Sequence, residues 1–147
     1  MISGSWDSTT KVWDGERGAL LQTLQSGVGN ALYCLDFDQS SGHIAVGCRH
    51  HHVQLWDIPA GTRVRDFFGH SKEVGALQLT PRTIVTGSGD MTIKVWDTVS
   101  TDCRVTLRGH SSTVMCVDYD GDCKVVSGSY DKTCKLWDLR HPSTPVR

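Results

Sequence analysis

Apolar and polar residues alternate along this chain in short runs that are broken at regular intervals by Gly, Asp and Ser. Val114-Met115-Cys116-Val117-Asp118-Tyr119, Lys124-Val125-Val126-Ser127 and Thr133-Cys134-Lys135-Leu136-Trp137 are rich in strand-forming residues. Asp120-Gly121-Asp122 and Gly128-Ser129-Tyr130-Asp131 punctuate them as turns. No segment carries an apolar 3.6-residue period over helical length. Short strands with evenly spaced turn signals predict an all-β fold. The predicted strands are Met1–Gly4, Thr10–Trp13 and Leu20–Leu24, then Leu32–Phe37, Ile44–Gly47, Val53–Trp56 and Arg63–Phe67. They continue as Val74–Leu79, Thr83–Gly87, Ile93–Trp96 and Arg104–Leu107, and end with Val114–Tyr119, Lys124–Gly128 and Cys134–Trp137.

The pattern is itself repeated. Trp-Asp pairs fall at Trp13-Asp14, Trp56-Asp57, Trp96-Asp97 and Trp137-Asp138, and the tryptophans are 43, 40 and 41 residues apart. Each pair ends a similar stretch: SGSWDSTTKVWD from Ser3, VGCRHHHVQLWD from Val46, TGSGDMTIKVWD from Thr86 and SGSYDKTCKLWD from Ser127. Gly69-His70 and Gly109-His110 lie upstream of the last two. A period near 40 marks modules that cannot bury their apolar faces alone and must stack on neighbours.

With Gly-His followed by Trp-Asp in such a period, nearly the whole chain resembles the WD-repeat family. The resemblance implies blades of four antiparallel strands in a β-propeller, here about three and a half blades at 1–24, 25–67, 68–107 and 108–140, with a Pro-containing tail at 141–147. WD-repeat rings most often have seven blades, so an incomplete propeller is expected. The first blade would open within its second strand, and the last would lack its outer strand, since Pro142 and Pro145 oppose a central strand.

The resemblance also assigns a structural tetrad to each blade: a turn His bonded to the Asp of a tight turn and to a Ser or Thr of the second strand, which meets the Trp indole of the third. His70, Thr86, Asp90 and Trp96 form one set, and His110, Ser127, Asp131 and Trp137 another. Ser3, Asp7 and Trp13 belong to the first blade, whose His would precede Met1. The second blade keeps only Trp56, with Val28 near the Gly-His position, Val46 for the hydroxyl and His50 for the Asp. It is therefore expected to be the least rigid, with faster amide exchange at Cys48–Val53 than at Ser129–Cys134. A hydrolase could in principle use one His/Ser/Asp set, but that needs an exposed nucleophile and oxyanion donors, and no G-x-S-x-G elbow is present. A set that recurs from module to module argues for bracing rather than catalysis, so no enzyme activity is expected.

Composition narrows the function further. The formal net charge is −1, without the basic footprint that bulk nucleic-acid binding needs. No apolar run is long enough for a transmembrane helix, and no signal segment is legible; a cytoplasmic or nuclear setting is the expectation. The six cysteines form no C-x-x-C pair and read as small buried hydrophobes. Cys48-Arg49-His50-His51-His52 contains metal-ligand types, yet strand neighbours point to opposite faces and no second cluster completes a site, so neither metal nor cofactor is expected.

By resemblance, partners bind the top face, through the residue before the turn Asp and the residue entering the first strand. The former are Trp6, Arg49, Gly89 and Tyr130, and the latter Ala31, Glu73 and Thr113. Trp, Tyr and Arg dominate binding hot spots, which singles out Trp6, Arg49 and Tyr130, although Trp6 could instead pack on a neighbouring blade. The implied role is a non-enzymatic module for proteins or peptides. The run of blades also resembles the propellers of F-box and WD-repeat ubiquitin-ligase receptors, whose ligase subunits would be reached through an upstream region. The alternative is a general scaffold in signalling, RNA processing or trafficking.

Overall fold

The computed structural model describes residues 1–142 and 145–146. Among the described residues there are fourteen strands and no helix. The first sheet holds β1 (Ile2–Gly4), β2 (Thr9–Trp13) and β3 (Leu20–Gln25). The second holds β4 (Leu32–Asp38), β5 (His43–Cys48), β6 (His52–Asp57) and β7 (Thr62–Phe68). The third holds β8 (Val74–Leu79), β9 (Thr83–Ser88), β10 (Thr92–Asp97) and β11 (Cys103–Arg108). The last holds β12 (Val114–Tyr119), β13 (Lys124–Ser129) and β14 (Cys134–Asp138). Every sheet is an antiparallel meander in chain order. Each sequence-predicted strand has its counterpart, with bounds moved by no more than one residue.

The sheets stack face to face in chain order. Strands β4, β8 and β12 lie side by side, and among the described residues the row does not close into a ring. Apolar residues from facing sheets form the core between them. Trp96 of the third sheet packs with Ala45, Val53, Leu55 and Phe67 of the second, and Trp137 of the last packs with Val85, Ile93, Val95 and Leu107 of the third. Burying a side chain such as Phe67 contributes roughly 1.5–3 kcal/mol, and no sheet could bury these residues by itself.

Polar links cross the same interfaces. Asp36 Oδ2 accepts from the Leu79 amide at 2.8 Å, and Cys34 Sγ meets the Val74 carbonyl at 3.5 Å. The Gln78 side chain pairs with both backbone groups of Tyr119.

One expectation needs correction. Only Cys48 and Cys123 are buried and Cys34 is half-buried, whereas Cys103, Cys116 and Cys134 are exposed. Cys116 and Cys134 flank Gly128 across β12–β14, on the face turned away from the third sheet, and Cys103 sits at the bulge opposite Trp96. At the outer side of the last sheet, no fourth strand pairs with β14 among the described residues, but the Val146 amide donates to Leu136 O at 2.7 Å. The rest of the expected tail falls partly on Ser143, Thr144 and Arg147, which lie outside the described residues.

Candidate functional site

Four tight turns, one in each sheet, join β1 to β2, β5 to β6, β9 to β10 and β13 to β14. Ser8, His51, Met91 and Lys132 occupy the same place in them and share a left-handed φ of 70°, 66°, 67° and 68°. The backbone is thus the same in all four, whatever the side chains.

Beneath two of these turns lies a buried polar chain. In the third sheet Trp96 Nε1 donates to Thr86 Oγ1 at 2.9 Å, Thr86 Oγ1 is 2.8 Å from His70 Nε2, and His70 Nδ1 is 2.7 Å from Asp90 Oδ2. A carboxylate only accepts, so Nδ1 carries the proton that faces Asp90. The last sheet repeats this with Trp137 to Ser127 at 2.8 Å, Ser127 to His110 at 2.8 Å and His110 to Asp131 at 2.7 Å. Gly69 and Gly109 make room for it. Both hold positive φ, and a Cβ on either would press on the Trp ring edge at 3.2 or 3.1 Å.

The aspartates are saturated with donors. Asp90 receives His70, the Ser71 amide, and the amide and hydroxyl of Thr92. Burial pushes its carboxyl up, but the bonds from His70, Thr92 and Ser71 outweigh this and hold it well below the usual carboxylate range. The Thr133 hydroxyl is the main cause of the same depression at Asp131, against some desolvation and with help from Ser111 and His110. Ser127 is 0% exposed, so its hydroxyl is beyond the reach of a substrate. In the first sheet Trp13 donates to Ser3 Oγ at 2.9 Å, while Asp7 accepts from the amide and hydroxyl of Thr9.

The second sheet contains a network that the sequence reading missed. Trp56 Nε1 donates to Gln54 Oε1 at 3.3 Å, and Gln54 Nε2 donates to Ser26 O at 3.1 Å and to His52 Nε2 at 3.2 Å. That leaves His52 Nδ1 to donate to His50 O at 3.1 Å. Gln54 is only 1% exposed. It stands opposite Val46, where the other sheets pair Lys11 with Ser3, Lys94 with Thr86 and Lys135 with Ser127. The signal was present as a paired exchange, hydroxyl to Val and Lys to Gln, in an otherwise repeated frame. Asn30 adds a brace through Ser26 O at 3.1 Å and the His50 amide at 3.3 Å.

The top-face candidates come together in pairs. The amide of Arg49 donates to Ala31 O at 2.8 Å, that of Gly89 to Glu73 O at 3.1 Å and that of Tyr130 to Thr113 O at 3.0 Å. Each turn is thereby fixed to the entry of its own sheet's innermost strand. Ala31 and Gly89 are buried, Glu73 and Thr113 half-buried, and Arg49 exposed. The Glu73 carboxylate lies over Gly89, where any Cβ would collide with it. Trp6 is 74% and Tyr130 68% exposed. The Trp6 ring does touch the neighbouring sheet, with its centroid 5.8 Å from that of Tyr33.

Burial pushes the Cys34 and Cys48 thiols up to about 12, well away from thiolate chemistry at neutral pH. Among the described residues no group of three or more His, Cys, Asp or Glu is placed to hold a metal ion. No helix there is long and apolar enough to cross a membrane.

Comparison with known proteins agrees with this geometry. The profile of the family described as WD domain, G-beta repeat matches residues 18–57, 61–97 and 101–138. Each match starts at the outer strand of one sheet and ends with the third strand of the next, so the sequence repeat straddles two blades. The chain is 33% identical to nuclear distribution protein PAC1 of Arthroderma otae, over 95% of this chain and 33% of that protein. It is 28% identical to DENN domain and WD repeat-containing protein SCD1 of Arabidopsis thaliana, over 94% of this chain and 12% of that protein. It is 29% identical to mitochondrial division protein 1 of Kluyveromyces lactis, over 84% of this chain and 20% of that protein. The chain thus spans no more than a third of the length of these relatives. With three matched repeats, stacked four-stranded sheets and the bonded Trp–hydroxyl–His–Asp chains, it belongs to the WD-repeat family.

Proposed function

We propose that the chain is a non-enzymatic protein-binding platform whose partners sit on the edge built by the tight turns, with Trp6 and Tyr130 as aromatic anchors, Arg49 as a charged contact, and Glu73 and Thr113 beside them. The observation that carries this is the exposure of Trp6, an indole left largely in water with the Tyr33 ring beside it. Large aromatics so placed supply much of the energy of protein interfaces. In the polar chains each hydroxyl is taken by a Trp indole and an imidazole, which supports bracing of the turns rather than chemistry.

The relatives carry names from nuclear distribution and mitochondrial division, which favours a general scaffold over a ubiquitin-ligase receptor. Affinity capture with the wild-type chain and with a Trp6→Ala/Tyr130→Ala variant tests the platform. Proteins retained by the first and lost from the second, at equal thermal stability, are expected. Identical retention by both overturns it, and enrichment of cullin-ligase subunits would instead select the receptor reading.

A further inference from the structure

The outer end of the third sheet carries charge that its own packing does not use. Thr92 faces Arg108 across β10 and β11, and Lys94 faces Thr106. Residues two apart on a strand share a face, so all four lie on the side of Trp96. Together with Gly69, Ser71 and Asp90, the side chains of Thr92, Lys94 and Arg108 line a depression of about 250 Å³. Lys94 Nζ is positioned by Thr106 Oγ1 at 2.9 Å and by the Trp96 ring, 5.8 Å from its centroid. Among the described residues neither Lys94 nor Arg108 has a carboxylate within ion-pair distance. Asp90 is in the wall, but both of its oxygens are occupied by the donors of the tight turn.

Among the three sheets whose outer strand is described, this pairing of cations occurs in the third alone. The first sheet has Lys11 but carries Gln25 where Arg108 stands. The second carries Gln54 and Phe68 at the two positions.

We propose that this depression is an anion site for a phosphate group, held by the Arg108 guanidinium and the Lys94 ammonium, with the Ser71 hydroxyl as a further donor. A guanidinium offers two parallel N–H groups to a phosphate, and an ammonium adds a point charge. The Asp90 charge offsets part of the positive field, which disfavours a monoanion such as a carboxylate. A phosphate brings close to two charges and three acceptor oxygens. The site shares no residue with the aromatic edge described above and stands independently of it.

The test is an NMR titration of the ¹⁵N-labelled chain with inorganic phosphate at constant ionic strength. Saturable shifts concentrated at Gly69, Ser71, Thr92, Lys94 and Arg108 are expected, with a weaker response to acetate. Arg108→Gln, which installs the first sheet's residue at an exposed position, should weaken binding about fivefold, the size of one solvent-exposed charge contact, at unchanged thermal stability. A phosphoserine peptide that binds these residues more tightly than inorganic phosphate identifies a partner's side chain as the source, and equal affinity identifies free phosphate. No saturable response, shifts spread over lysines generally, or a response that survives Arg108→Gln overturns the site.

Discussion

In the third sheet the indole N–H of Trp96 ends on a hydroxyl from the adjacent strand, and the chain runs on to a carboxylate. In the second sheet the indole N–H of Trp56 ends on an amide from its own strand, and the chain runs on to two carbonyl oxygens. The backbone of the tight turn is the same in both, with His51 and Met91 equally left-handed. What is constant is therefore the demand, a buried indole N–H that needs an acceptor. The side chains that meet it are interchangeable in sets. The sets differ in strength. Asp90 braces its turn with bonds of 2.6–3.0 Å from Thr92 and Ser71, while the corresponding turn in the second sheet has contacts of 3.3 Å to the His50 and His51 amides and a bond of 3.1 Å from His52 Nδ1 to His50 O.

Transplanting one set into the other sheet breaks this comparison most sharply. Thr86→Val gives the third sheet the valine of the second, but leaves the Trp96 N–H and His70 Nε2 without partners. A loss of about 2–3 kcal/mol is expected in urea unfolding. Adding Lys94→Gln to that variant supplies the missing amide and should return about 1 kcal/mol. A double variant no more stable than Thr86→Val alone would mean that the two sets are not equivalent.

Acid distinguishes the sheets next, because the first, third and last have a depressed carboxyl at this position and the second has His50 there. The folded carboxyls of Asp90 and Asp131 titrate below their unfolded value, so the unfolded chain binds protons first as pH falls. The stability they contribute is whole above about pH 4 and is lost on descending from there toward their folded values. Melting curves of wild type and Asp90→Asn should therefore converge as pH drops from neutrality into that window. A constant gap would separate the carboxylate charge from the stability of the turn.

The smallest effect concerns local opening. Amides at 48–53 should exchange faster than those at 129–134 by about a factor of ten, equivalent to one hydrogen bond. Equal protection would show that the Gln54 and Asn30 bonds brace as well as a tetrad does.

Much of this was legible without coordinates. The strands could be placed because the alternation of buried and exposed residues has the period of a strand, and the Trp-Asp spacing gave their grouping. The repeat frame also named Tyr130, Thr113, Gly89 and Glu73 as top-face positions, but that they bond in pairs emerged only from the fold. The role of Gln54 was not, because Lys to Gln on a strand looks like an ordinary surface change. Its meaning depends on Val46 being its neighbour across the sheet. The unpaired cations at Lys94 and Arg108 were hidden for the same reason, since they lie 14 positions apart in the chain and meet only through the register of β10 and β11.

Repetition in the sequence determined the kind of fold, since a local period dictates local strands and modules with one apolar face must stack. Which polar atom satisfies each buried indole, which thiols face water and which charges stay unpaired were decided only in three dimensions. Those outcomes depend on strand register and on the face a neighbouring sheet covers, and both are set by contacts between residues far apart in the chain.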